Sequence, residues 1–285
     1  MKSFLKMHGL GNDFVIFDAR TFPIPMDAAT AKAVADRKRG IGCDQIILIE
    51  RANKGADAFM RIYNADGGEV ESCGNAARCV GSLLMAEMEK PDVLIATTGG
   101  PVRCSDARSG RVTVDLGAPR LDWREIPLAQ AVDTESFSLQ VPGFHEPALE
   151  AVSAVSVGNP HCVLFVEDVE NAPVTTLGPA IEHHPWFPSR TNVEFVEARG
   201  RGTLRMRVWE RGAGVTLACG TGACAAAVAA HLRGMTGRKV TLVLDGGELE
   251  IEWREADDHV LMTGPATFSF AGEVDLKSLS ATVNA

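Results

Sequence analysis

Two cysteines in this chain stand in matching surroundings. Residues 71–80 read ESCGNAARCV, and residues 217–227 read LACGTGACAAA. In each stretch a Cys is followed by Gly, then by a small polar residue, then by an Ala-rich run. Such a run predicts a helix, which puts Cys73 and Cys219 at or just before its first turn. There the leading N–H groups lack intrahelical partners and the positive end of the helix dipole lies. That environment favours thiolate over thiol, so the pattern predicts a lowered thiol pKa at both positions. Gly74-Asn75 and Gly220-Thr221 let backbone approach a ligand closely and present N–H donors to an anion. Each motif combines a reactive sulfur with half of a carboxylate cradle, and a duplicated pair can face one substrate from two sides.

Few reactions want two equivalent thiols around one carboxylate. A nucleophilic cysteine enzyme needs one thiol, a histidine base and an oxyanion hole. Thiol redox chemistry more often uses a C-x-x-C motif. Inverting a stereocentre, in contrast, needs a base on one face of the carbon and an acid on the other. One group removes the proton as thiolate, the other delivers one as thiol, and the pair then stands ready for the reverse direction. The α-proton of an amino acid is very weakly acidic, so N–H groups must also stabilise charge moving onto the carboxylate. Two helix starts supply this without metal or pyridoxal, and no lysine stands out as a Schiff-base residue. A zinc site is disfavoured: Cys73/Cys79 and Cys219/Cys224 are too far apart for C-x-x-C knuckles. Cys43, Cys79, Cys104, Cys162 and Cys224 are read as small buried hydrophobes.

The elements that must position the motifs repeat as well. Cys219 follows Cys73 by 146 positions, and Asn159 in SVGNPHCVLF follows Asn12 in GLGNDFVIF by 147. Gln45 in GCDQIILIE pairs with Asn192 in RTNVEFVE, and Asn64 in RIYNADGGE with Glu210 in RVWERGAGV. Gly99-Gly100 matches Gly246-Gly247, and Gly117 matches Gly264. Anchors in constant order and nearly constant spacing mark a tandem duplication. The expected domains are residues 1–118 and 119–264, with a proline-broken seam at 115–127. Residues 265–285 are open to rejoining the first domain. Short β-rich runs such as FVIFDA, QIILIE, NVEFVEA and TLRMRVWE surround one helix per repeat, AARCVGSLLMAEME or GACAAAVAAHLRG, the latter stopped by Gly234. The fold class expected is α+β: two similar domains, each a central helix wrapped by a mostly antiparallel β-sheet.

Composition narrows the function. The 285 residues are 46% hydrophobic and 23% charged, as in average globular proteins. A net charge of −9 argues against nucleic acid or an anionic membrane as partner. No apolar run approaches the ~20 residues of a membrane span. The opening MKSFLKMHGLGNDF lacks the continuous apolar stretch of a secretion signal, and seven scattered cysteines suit a reducing compartment. A cytoplasmic address is expected by default.

An ordered set of motifs then carries a resemblance: KMHGLGNDF, GIGCDQ, NADGGE with CGNAARC, SVGNPHCV, RTNVEF and ERGAGVTLACGTGACA. Together they span nearly the whole chain, which resembles the diaminopimelate epimerase family, pyridoxal-independent enzymes that interconvert LL- and meso-diaminopimelate. Proline racemase-like relatives usually place His after the Cys-Gly, where this chain has Asn75. The resemblance implies that Cys73 and Cys219 are the acid–base pair, with no cofactor and no metal. It implies that Gly74, Asn75, Gly220 and Thr221 receive the reacting carboxylate. Asn12, Gln45, Asn64, Asn159, Asn192, Glu210 and Arg211 would hold the rest of a small-molecule substrate, Arg211 suiting a distal carboxylate. His161 and Glu210 would tune the two cysteines. A role in lysine and peptidoglycan precursor synthesis is implied too, as is a homodimer, for which the chain has no interface signal of its own. Ala76 and Val215 depart from residues common in the family, Gly and Glu, and are read as tuning. Asp13, Asp44 and Asp66 are read as turn and capping residues. The rivals are a racemase for another amino acid such as proline or hydroxyproline, and a catalytically silent binding protein on the same fold.

Overall fold

The β-branched and aromatic runs form strands, and the two Ala-rich runs form the longest helices. The computed structural model describes residues 1–52, 55–71 and 73–283. The chain divides into two units: unit 1 is Met1–Val114 with Gly264–Ala285, and unit 2 is Asp115–Thr263.

Unit 1 opens with β1 (Lys2–Gly9), β2 (Asn12–Asp18), α1 (Ala28–Ala35), β3 (Gln45–Glu50), β4 (Ala58–Asn64) and β5 (Glu69–Val70). It continues with α2 (Gly74–Met88), β6 (Asp92–Thr97), β7 (Gly100–Asp106) and β8 (Arg111–Asp115). Unit 2 holds β9 (Ser153–Ser156), β10 (Pro160–Phe165), α3 (Val174–Glu182), β11 (Asn192–Ala198), β12 (Thr203–Glu210) and β13 (Gly214–Val215). It ends with α4 (Gly220–Leu232), β14 (Lys239–Leu244), β15 (Gly247–Trp253) and β16 (Val260–Pro265). The chain then returns to unit 1 as β17 (Thr267–Val274), antiparallel to β1, and α5 (Leu276–Val283).

The duplication is written into hydrogen-bond register. Phe14 opposes Gln45 across parallel β2 and β3, and His161 opposes Asn192 across parallel β10 and β11. Ile46 faces Tyr63 as Val193 faces Trp209, and Tyr63 faces Glu69 as Trp209 faces Val215. Thr97 pairs with Gly100 as Leu244 pairs with Gly247. Each pairing maps on its partner with the 146–147 offset of the sequence. Most pairs are antiparallel, as expected of this α+β duplication.

Alanine explains how α4 sits inside its sheet. From Gly220 to Ala230 every residue but Thr221 is buried, and β9, β10, β11, β12, β14 and β15 pack around the helix. A helix apolar on all sides belongs in a core, and short side chains let the strands approach it. In unit 1, α2 buries one broad face, from Asn75 to Gly81 with Leu84 and Met85. It stops at Met88, one residue short of the expected end, because Glu89 turns to a left-handed conformation with φ of 53°. The helices α1, α3 and α5 and the strands β1 and β17 lie in stretches whose sequence patterns are weaker. No helix among the described residues is long and apolar enough to cross a membrane.

Helix α3 braces the end of β12. Trp209 donates its indole N–H to Glu182 Oε2 at 2.7 Å, and Gly212 N donates to Glu182 Oε1 at 2.9 Å. Gly178 allows this contact, since a Cβ there would lie 2.6 Å from Trp209 Cβ. Gly178→Ala is expected to destabilise by about 1–3 kcal/mol, despite the better helix propensity of Ala. A lowered urea midpoint with an unchanged slope checks it, and an unchanged midpoint refutes it.

Candidate active site

The sheet of unit 1 gathers the expected residues at one edge. Asn12 opens β2, Gln45 opens β3, Asn64 closes β4 and Cys73 caps α2. Parallel β2 and β3 start together, and antiparallel β4 ends with Asn64 opposite Gln45. Gln45 Nε2 donates to Asn64 Oδ1 at 2.9 Å, while the buried Gln45 Oε1 has no partner among the described residues.

Asn12 is turned by a carboxylate. Its Nδ2 donates to Asp44 Oδ2 at 3.0 Å, and a carboxylate can only accept. The Asn12 Oδ1 therefore faces the helix start, where it accepts from Asn75 Nδ2 at 3.2 Å and lies 3.8 Å from Cys73 Sγ. Asn75 is itself engaged by Arg78, whose Nη2 donates to Asn75 Oδ1 at 2.9 Å. Arg78 is fully buried and also reaches the Pro265 carbonyl, 3.1 Å from its Nε. Asp44 and Asp13 share Arg37, each at 2.7 Å, and Lys6 Nζ lies 2.6 Å from Asp13. So Asp13 and Asp44 do more than the turn-and-cap role expected of them, forming the ion-pair network that sets Asn12. Asp66 does stay within its turn, accepting from Gly68 N at 2.8 Å.

Burial pushes the Asp13 carboxyl up, but hydrogen bonds from Arg37 and Lys6 outweigh it and hold the group well below the usual carboxylate range. A depressed folded-state pKa contributes stability above the unfolded value, and that stability is lost as pH falls toward the folded one. Wild type should therefore exceed Asp13→Asn in stability by about 2–3 kcal/mol at pH 7, the gap closing below about pH 4. Denaturation of both proteins from pH 7 to pH 2.5 checks this. A gap independent of pH would refute it.

Unit 2 repeats the arrangement with different chemistry. Asn159 and His161 head β10, Asn192 opens β11, Glu210 closes β12 and Cys219 caps α4. Asn192 works as a brace: its Nδ2 donates to the Pro160 carbonyl at 3.0 Å and its Oδ1 accepts from Arg211 N at 2.9 Å. The exposed Arg211 side chain donates to Ser189 O at 3.1 Å and meets no carboxylate among the described residues. Glu210 accepts from the Thr216 hydroxyl. Asn159 Nδ2 donates to Thr221 Oγ1 at 3.3 Å, and Thr221 Oγ1 lies 3.6 Å from Cys219 Sγ. The sulfur also accepts from Gly222 N at 3.4 Å, which makes Cys219 the cap of its own helix.

Cys219 corrects the expectation of a lowered pKa. Burial first, then the Glu210 and Glu194 carboxylates, push its thiol well above the ordinary value, against the pull of Thr221 and Gly222 N–H. The helix start is present, but it acts on a residue only 4% exposed and flanked by the carboxylates of Glu210 and Glu194. Glu210 is likewise raised, by burial and by Glu194. Cys43, Cys79, Cys104, Cys162 and Cys224 are buried, as their apolar settings predict, whereas Cys73 is half-buried, and burial raises Cys43, Cys79 and Cys104 to about 12. Val215 lies on a short strand and pairs with Trp209.

Four participants have no role in the sequence reading, although all but Arg37 lie inside its motifs: Lys6, Arg37, Arg78 and Glu194. Glu194 had a usable signal. It interrupts the apolar run NVEFV, whereas the equivalent QIILI has Ile47 in its place.

Known proteins resemble the chain over nearly its whole length. A family model described as diaminopimelate epimerase matches residues 4–121 and 153–269. The diaminopimelate epimerase of Erythrobacter litoralis is 56% identical over 274 residues, covering 96% of this chain and 97% of that one. That of Moorella thermoacetica is 49% identical over 282 residues, covering 96% and 99%. Among solved structures, a hydroxyproline epimerase from Agrobacterium vitis aligns with a TM-score of 0.65 at 18% identity, over 96% of this chain and 90% of that one. A phenazine biosynthesis protein of the PhzF family from Bacillus anthracis gives a TM-score of 0.68 at 13% identity, over 96% and 99%. At these identities the structural likeness concerns the fold. The family match takes in both cysteine motifs and runs through both units, so the chain is an isomerase that belongs to the diaminopimelate epimerase family.

Proposed function

We propose that this chain interconverts LL- and meso-diaminopimelate, with Cys73 and Cys219 as the two acid–base groups, and so serves lysine and peptidoglycan precursor synthesis. The observation that carries the reading is the paired cysteine–glycine helix start, in a chain about half identical to curated diaminopimelate epimerases. A thiolate takes the α-proton, and the other cysteine returns a proton to the opposite face as thiol. The C–H bonding pair moves toward the carboxylate meanwhile, and N–H groups of Gly74-Asn75 and Gly220-Thr221 receive that charge. Burial and carboxylates favour the thiol form of Cys219, the form that donates a proton.

The far end of the substrate is a second amino acid group. The Arg211 guanidinium, which meets no carboxylate among the described residues, suits its carboxylate. The unpartnered Gln45 Oε1 is an acceptor for an ammonium. A one-headed substrate such as proline leaves such groups unmatched, and unpaired polar groups reject analogues. The test is proton NMR of LL-diaminopimelate with reduced protein in D2O. Loss of the α-proton signal with appearance of the meso form is the expected result. No exchange by folded protein with free thiols would sink the assignment, and proline and hydroxyproline would then be tried.

A further inference from the structure

The two half-sites differ beneath their helix starts. Under α4 lie His161 and Glu194, both fully buried on neighbouring strands, with His161 Nδ1 2.7 Å from Glu194 Oε1. At the equivalent positions of unit 1 stand Phe14 and Ile47, also fully buried. The fold thus tolerates an apolar pair here, and apolar residues avoid the cost of burying charge. Gly222 makes room for the carboxylate: a Cβ there would lie 2.6 Å from Glu194 Oε1, whereas unit 1 has Ala76.

Among the described residues the side-chain hydrogen bond of Glu194 runs to His161, and its Oε2 has no hydrogen-bond partner. Whatever Glu194 does beyond its charge must pass through the ring. His161 Nε2 is 2.9 Å from Asn159 Oδ1, an acceptor. One proton is shared along the Glu194–His161 contact, and on whichever side it sits, Nε2 keeps its hydrogen for Asn159. Burial raises the Glu194 carboxyl, against the pull of the neighbouring imidazole. The titratable groups facing Glu194 are His161 and Cys162 from β10, Glu210 from β12 and Cys219 at the start of α4.

We infer that Glu194 is a positioning residue for the half-site at Cys219. Its carboxylate locks the His161 ring with Nε2–H on Asn159 Oδ1, which leaves Asn159 Nδ2 to hold Thr221 beside the sulfur. The catalytic consequence rests on the role proposed for Cys219, while the ring orientation does not.

The test uses the full chain labelled with ¹⁵N, the His161 ring signals being assigned by loss in His161→Gln. In wild type, the ring shifts are expected to report a hydrogen on Nε2, held by Asn159 Oδ1. Glu194→Gln is expected to move the ring ¹⁵N shifts and to lower kcat for α-proton exchange by about 10-fold to 100-fold, with KM within about two-fold. The double substitution Glu194→Ile with His161→Phe copies unit 1, so it is expected to fold with an undiminished melting temperature and show a kcat loss at least as large. Unaltered ring shifts and kcat in Glu194→Gln would overturn the inference. So would a double variant that is fully active, or one that fails to fold, which would make the pair structural. If wild type exchanged no amino acid α-proton, the functional reading would fall and the ring shifts alone would decide this one.

Discussion

Cys73→Ala and Cys219→Ala should each lower kcat/KM for epimerisation by about 1,000-fold or more, the upper range for a positioned acid or base. Neither change should cost the fold. Cys73 makes no side-chain cap bond, loss of the Cys219 cap costs about 1 kcal/mol, and truncating one small side chain removes little buried area. The two variants are expected to fail differently from an enzyme that has lost its binding site. Each keeps one thiol, which can still take the proton of one stereoisomer and return a solvent deuteron to the same face. Slow washout from a single isomer without inversion is therefore expected, with opposite isomers favoured by the two variants. Proton NMR in D2O on LL- and meso-diaminopimelate reads both quantities. Near-wild-type epimerisation by either variant would end the two-base mechanism.

Gly222→Ala is expected to be nearly as damaging, although Ala is the better helix former by about 1 kcal/mol. The new methyl would sit 2.6 Å from Glu194 Oε1 and 3.2 Å from Cys219 Sγ. Relief requires the carboxylate or the sulfur to move, and the carboxylate is tied to His161. Displacements of that size at reacting groups cost on the order of 100-fold in rate, and overpacking costs about 1–3 kcal/mol in stability. Ala76→Gly, the mirror change in unit 1, should cost only about 1–2 kcal/mol in stability, with little loss of rate. Urea midpoints and kcat/KM for both variants check the contrast. Equal effects would mean that the two helix starts are packed alike.

The sequence made the strands and the two long helices legible because local pattern and burial agree there. FVIFDA, QIILIE and NVEFVEA are apolar and β-branched, and they became β2, β3 and β11. Helix α1 and strand β17 were not read, since the first is a short run behind the Asp27 cap and the second exposes most of its residues. The cysteine motifs were plain because Gly and Ala encode close approach directly. The electrostatics around them were hidden, since Glu194 and Glu210 meet Cys219 only through strand register. Likewise Asp44 reads as a loop residue until β2 and β3 pair and set it against Asn12.

The pairing of β1 with β17 has a consequence for biosynthesis. Lys2 pairs with Val274 and Leu5 with Ala271, so β1, which has β2 on one edge, gains its second neighbour only after residues 267–274 have been translated. Unit 2 is continuous, from Asp115 to Thr263, and needs no strand from later in the chain to close. The earliest-synthesised half is thus the last to finish, and until then it carries β1 with an unpaired edge. An unpaired edge is a site of misassociation in nascent chains. The segment from 267 to 274 acts as the closing stitch of the half that was begun first.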